Sequence, residues 1–116
     1  MGFKWPKLTH TLENVAGYKG VRVTVVLNPD PLPEREYSGK EHDTWTYHRW
    51  AQIIRRIVIP GEYRDDGQEY VVDVDGDPRT LWELDQSPDF DSRITTHTTS
   101  AWARARMTAV GDAEKN

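Results

Sequence analysis

The chain is 116 residues long and carries 15 Lys and Arg against 19 Asp and Glu, a formal net charge of −4. It has no cysteine, which excludes disulfides and thiolate metal centres, and its acidic balance argues against wholesale nucleic-acid binding. Length alone predicts a single domain, 1–116. Only 36% of the residues are hydrophobic, a lean core that neighbouring chains would help to complete.

In chain order, residues 1–19 read as an extended N-terminal arm, with Pro6 and Gly17 and no steady period. "VRVTVVLN" then alternates, with Val21, Val23, Val25 and Leu27 on one face, the pattern of a strand. Residues 28–43 form a long loop in which Pro29, Pro31 and Pro33 favour extended backbone.

"TWTYHRWAQIIRRIVIPG" carries two signals. Tyr47, Trp50, Ala51, Ile54, Ile57 and Val58 fall on a helical stripe that Asp43 or Thr44 would cap. The β-branched cluster from Ile53 to Ile59 favours strand, so the second half is read as strand and the first half is left open.

Gln68 to Val74 reads as a strand and "RTLWEL" as its hairpin partner. "RITTHTTSAWARARMTAV" alternates alanines with arginines and reads as a long strand, followed by a frayed tail, 111–116. The expected fold is therefore mainly β: a small antiparallel β-barrel or sandwich with at most one helix, placed within 43–58.

The stretch "DVDGDP" poses a choice. An EF-hand loop starting at Asp73 would need glycine at its sixth position and an acid at its twelfth. Those positions hold Pro78 and Leu84. The preferred reading is a hairpin turn at Asp75, Gly76, Asp77 and Pro78, with no metal bound by Asp73, Asp75 or Asp77. His42 and His48 lie six apart, which suits neither a helical nor a strand metal pair. No nucleophile elbow or glycine-rich phosphate cradle occurs, so no catalytic residue and no cofactor are expected.

Aromatic and basic residues interleave in "WTYHRW" and "WARARM". Trp45, Trp50 and Trp82 are read as core, while Trp5, Arg35, Tyr37, Trp102, Arg104 and Arg106 are candidate interface residues. Charge is segregated as well. Eleven acids and two arginines lie between Glu62 and Asp91, and the rest of the chain is mildly basic. A solvated acidic surface is the simplest account, and a subunit whose basic part meets a neighbour's acidic part is the functional one.

The second half resembles the small head-to-tail connector proteins of tailed phages, of the stopper or head-completion type. The resemblance rests on Gly67, Tyr70, Val72, the turn Asp75-Gly76-Asp77-Pro78, Trp82, Ser87-Pro88 and Val110-Gly111. It implies a non-enzymatic virion protein that forms a homo-oligomeric ring at the head–tail junction. DNA would pass through the ring lumen without sequence-specific contact. Assembly would take place in the host cytoplasm, and outside the virion the protein would be cytoplasmic. Apolar runs such as Ile57–Ile59 are too short to span a bilayer, and "MGFKWPKLTH" lacks the apolar core of a signal peptide, so no membrane partner is expected. A small acidic regulatory or inhibitory binding module is the alternative, and a metal-dependent hydrolase using Asp73, Asp75, Asp77 and a histidine ranks third.

Overall fold

The computed structural model describes residues 6–32 and 34–114, with side chains described as far as Thr108. Four strands form an antiparallel meander in the order β1 (Thr9–Glu13), β2 (Arg22–Val26), β3 (Ile54–Ile59) and β4 (Tyr70–Asp73). Two rows of residues in register explain why this sheet has two different faces. Leu12, Val23, Ile57 and Val72 stand opposite one another across the strands, and all four are buried. One residue away, Thr11, Thr24, Arg56 and Asp73 form the matching row on the solvent face. There the threonine hydroxyls lie 3.4 Å apart, and Arg56 Nε donates to Asp73 at 2.6 Å. Period-two patterning therefore fixes which face collapses. The register shifts between Thr24 and Val25, where Arg55 is the extra residue of a β-bulge and stays exposed.

The sheet is open, and three helices cover its apolar face: α1 (Trp45–Ile53), α2 (Pro78–Gln86) and α3 (Arg93–Glu114). This overturns the mainly β barrel or sandwich with at most one helix. The helix within 43–58 forms as its cap signal implied. Thr44 stays extended, and its hydroxyl accepts from the Tyr47 amide at 3.3 Å. The helix passes without a loop into β3, where the β-branched run begins.

The hairpin is the first correction in detail. A tight turn does form: Asp75 and Gly76 have φ of 52° and 77°, and the Asp77 amide donates to the Val74 carbonyl at 3.0 Å. Positive φ at both central residues is what a type I′ turn demands. The chain does not return as a strand, because Asp77 and Pro78 occupy the N-cap and first positions of α2. The Asp77 carboxylate accepts from the Arg79 amide at 2.9 Å, and Pro78 has no amide to leave unpaired. Leu81 and Leu84, three apart, then enter the core from α2, each burial contributing about 1.5–3 kcal/mol.

The second correction is the last strand, which is α3. Its stripe runs through Ile94, Thr98, Ala101 and Ala105, a helical rather than an alternating spacing. Threonines tolerate this because each hydroxyl bonds back to its own helix. Thr98 donates to the Ile94 carbonyl at 2.7 Å, and Thr95 to the Ser92 carbonyl at 2.7 Å. Of the residues that carry the connector resemblance, Gly67, Tyr70 and Val72 do lead through β4 to the turn, whereas Trp82 lies on α2 and Val110–Gly111 on α3. Strand β1 lies within the segment read as an arm, and α3 continues through 111–114 of the segment read as a tail.

Candidate functional site

A cleft of about 640 Å³ opens where the ends of β3 and β4 face α2 and the start of α3. Its floor is apolar: Val21, Ile59, Val72, Leu84 and Ile94 reach it from the sheet and from both helices. Its walls are aromatic. Tyr18 and Tyr63 meet edge to face with ring centres 5.4 Å apart, and Phe90 and Tyr70 complete the lining. Tyr70 is overlaid by the Arg64 guanidinium at 4.3 Å from the ring centre.

One wall is built by the loop after β3. Gly61 approaches Gly67 so closely that an added Cβ would stand 2.2 Å from the Gly67 carbonyl oxygen. Gly67 itself has φ of +69°, a conformation that glycine adopts without strain. The loop thus closes on itself and presents Tyr63, whose hydroxyl donates to the Lys19 carbonyl at 2.8 Å.

The opposite wall is held by Asp91. Its carboxylate accepts from Arg93 at 2.6 Å and from the Tyr18 hydroxyl, and Arg93 also donates to the Tyr18 oxygen at 3.0 Å. The hydrogen bonds from Arg93 and Tyr18 hold the Asp91 carboxyl well below the ordinary carboxylate range. Asp66 is lowered too, first by the Gln68 amide and then by Arg64. A general acid needs the opposite shift, so neither group is set up for acid catalysis. Asp65, Glu83 and Asp89 are exposed at the cleft and have no ion-pair partner among the described residues. An apolar, aromatic cleft edged by three unneutralised carboxylates suits a cationic side chain on an apolar segment.

The residues singled out from the sequence fall in three places. Arg35 and Tyr37 fold back onto α1. Asp43 accepts from Arg35, from the Ser38 amide at 2.7 Å and from His48 at 2.6 Å, while Arg35 covers the Tyr37 ring at 4.6 Å. This cluster is a clasp for the long loop. Trp102 is half-buried, its indole N–H donates to the Val26 carbonyl at 2.8 Å, and Arg106 and Arg49 pack on its ring. Trp102 is thus an anchor for α3, with Arg106 lying on it. Arg104 is exposed further along the same helix. Trp5 lies outside the described residues. Trp50 and Trp82 are partly buried, but Trp45 is 57% exposed at the start of α1, against the core reading.

The Asp73 carboxylate is engaged by Arg56 and that of Asp77 by the Arg79 amide, and among the described residues no three His, Asp or Glu side chains converge as a metal centre requires. The cleft was not assembled by sequence reasoning. Its one visible signal was the acid run from Glu62 to Asp91; the pairing of Tyr18 with Asp91, 73 positions apart, appears only in the fold. No helix among the described residues is long and apolar enough to cross a membrane. Comparison with known proteins gives no match: no family model, no curated protein and no solved structure matches this chain.

Proposed function

We propose that the protein is a non-enzymatic structural subunit that assembles into a ring, the role that the connector resemblance implies at a phage head–tail junction. The observation that carries this reading is the placement of charge along α3. The acid-edged cleft sits at its first turns, beside Ile94. Along α3 the residues from Arg93 to Val110 include three arginines and no acid, Asp112 and Glu114 follow in the last turn, and the exposed pair Arg104 and Arg106 lies well beyond the cleft. Two different, complementary surfaces set apart along one rigid element favour head-to-tail contacts, which close into rings when the rotation between copies allows. Neutralising these charges between copies would also limit the self-repulsion of an acidic chain.

Mass measurement of the purified chain at micromolar concentration, together with analysis of tailed-phage particles from a genome that encodes it, tests the proposal. A closed oligomer of one order, or the chain as a stoichiometric component of the particle, is expected. A chain that is strictly monomeric and also absent from particles would end the reading. A monomer that binds one host protein through the cleft would favour the regulatory module instead.

A further inference from the structure

We infer that the stretch 104–108 of α3 of one copy docks into the acid-edged cleft of the next, with Met107 as the apolar anchor and Arg104 as the charge that sets register. The inference rests on the ring-forming reading and specifies its interface. Met107 is 75% exposed, the most exposed large hydrophobic side chain among the described residues. Arg104 lies three residues before it, so the two share a helix face. Arg104 has no ion-pair partner among the described residues. Arg106, one position from Met107, lies over the Trp102 ring of its own helix at 5.4 Å from the ring centre.

The cleft presents the matching chemistry. Its floor would receive the Met107 thioether, and sulfur packs well against aromatic rings such as those of Tyr18 and Phe90, which line it. Asp65, Glu83 and Asp89 line the same cleft, so a guanidinium one helical turn before the methionine would meet carboxylates there. At about 640 Å³ the cleft lies within the range of ~300–1,000 Å³ typical of occupied sites.

The two surfaces cannot meet within one chain. Ile94 of the cleft and Met107 lie thirteen residues apart on one helix, about 20 Å at 1.5 Å per residue. The contact is therefore intermolecular and heterologous, since anchor and cleft are different surfaces. Charge pairing at such an edge governs approach and register more than affinity, and the buried methionine supplies most of the adhesion.

The absence of native cysteine makes the test direct. One preparation carries Ala103→Cys, one helical turn before Met107 on the same face, and a second carries Asp89→Cys. Both positions are exposed and Met107 and Arg104 are kept, so unchanged melting is the check that each variant folds. Mixed under mild oxidation, the two preparations are expected to give the 103–89 heterodimer well above either homodimer. Adding Glu83→Lys to the Asp89→Cys chain should reduce that yield several-fold. If the unsubstituted chain forms a closed oligomer but no 103–89 product appears, the inference is overturned and the ring reading stands. If the product forms but the chain builds only open filaments, the interface stands and the ring reading falls. A monomeric chain that gives no product overturns both.

Discussion

The indole nitrogen of Trp102 donates to the Val26 carbonyl at 2.8 Å, fastening α3 to the last residue of β2. With Ala101 and Ala105 packed on the core, this contact helps set where that part of the helix stands. Trp102→Phe keeps an aromatic ring, though a smaller one, and removes the donor. It should cost about 1 kcal/mol, the usual net worth of one such bond. Trp102→Ala should cost more, because the packing of Arg49 and Arg106 on the ring is lost as well. Urea denaturation midpoints for the two variants test this ordering. Equal midpoints for Trp102→Phe and the unsubstituted chain would show that the bond does not hold the helix.

Asp85 ties all three helices together. It accepts from the Tyr47 hydroxyl of α1 at 3.2 Å, and its other oxygen stands 3.3 Å from the Thr95 hydroxyl of α3, whose one proton lies closer to the Ser92 carbonyl at 2.7 Å. Burial pushes its carboxyl up, so its contribution to stability is greatest below the unfolded carboxylate pKa and is lost as pH rises through the folded value. Asp85→Asn can accept from one hydroxyl and donate to the other without carrying charge. At pH 7 it should melt no lower than the parent chain. Asp85→Ala should lose about 1–3 kcal/mol by leaving the Tyr47 hydroxyl without its acceptor. An asparagine variant as unstable as the alanine one would contradict this account.

Asp43 and Asp91 should behave in the opposite sense. Asp43 is held low first by the Ser38 amide, then by the Ser38 and His48 side chains; Asp91 is held low first by Arg93 and then by Tyr18. The stability they contribute is present above the ordinary carboxylate pKa and is lost as pH falls through their folded values. Carboxyl-carbon NMR titration should place both midpoints below, and Asp85 above, the reference of about 3.9. Midpoints for Asp43 and Asp91 at or above that reference would remove both the loop clasp and the Asp91 wall as described.

Gly61→Ala should damage the cleft without touching its lining. The new methyl would meet the Gly67 carbonyl oxygen, which belongs to backbone and cannot swing aside. A loss of about 1–3 kcal/mol is expected, together with changed Tyr63 and Tyr70 environments in near-ultraviolet spectra. An alanine variant with unchanged stability and spectra would mean that the loop is not closed in this way.

How far the sequence foretold this fold can be traced to particular residues. Val23, Val25, Ile57, Ile59 and Val72 alternate as strands must, and β2, β3 and β4 follow from them. Thr44 and the stripe after it offered α1 as one of two open readings; Tyr47, Trp50 and Ala51 of that stripe lie on the helix, while Ile54, Ile57 and Val58 belong to β3. Asp75-Gly76 forms the turn its composition implies, yet the two residues after it decide the next element: Asp77-Pro78 is also the signature of a helix start. In "SAWARARM" alanine at every second position suits a strand, and the same alanines suit a helix. The outcome was settled by contacts far away in sequence, chiefly Trp102 with Val26. The cleft was legible only as excess acid, because its aromatic walls come from Tyr18, Tyr63, Tyr70 and Phe90, which no local pattern joins.

The central claim is that two unlike surfaces on this chain join copies head to tail. It is tested most directly by native mass measurement of a two-variant mixture. One chain carries Arg104→Ser with Met107→Ser and keeps its cleft; the other carries Glu83→Lys with Asp89→Lys and keeps its helix face. Each alone should be monomeric, and an equal mixture should give dimers of one copy of each and nothing larger. Rings from either variant alone, or a mixture that stays monomeric while the unsubstituted chain assembles, would contradict the account.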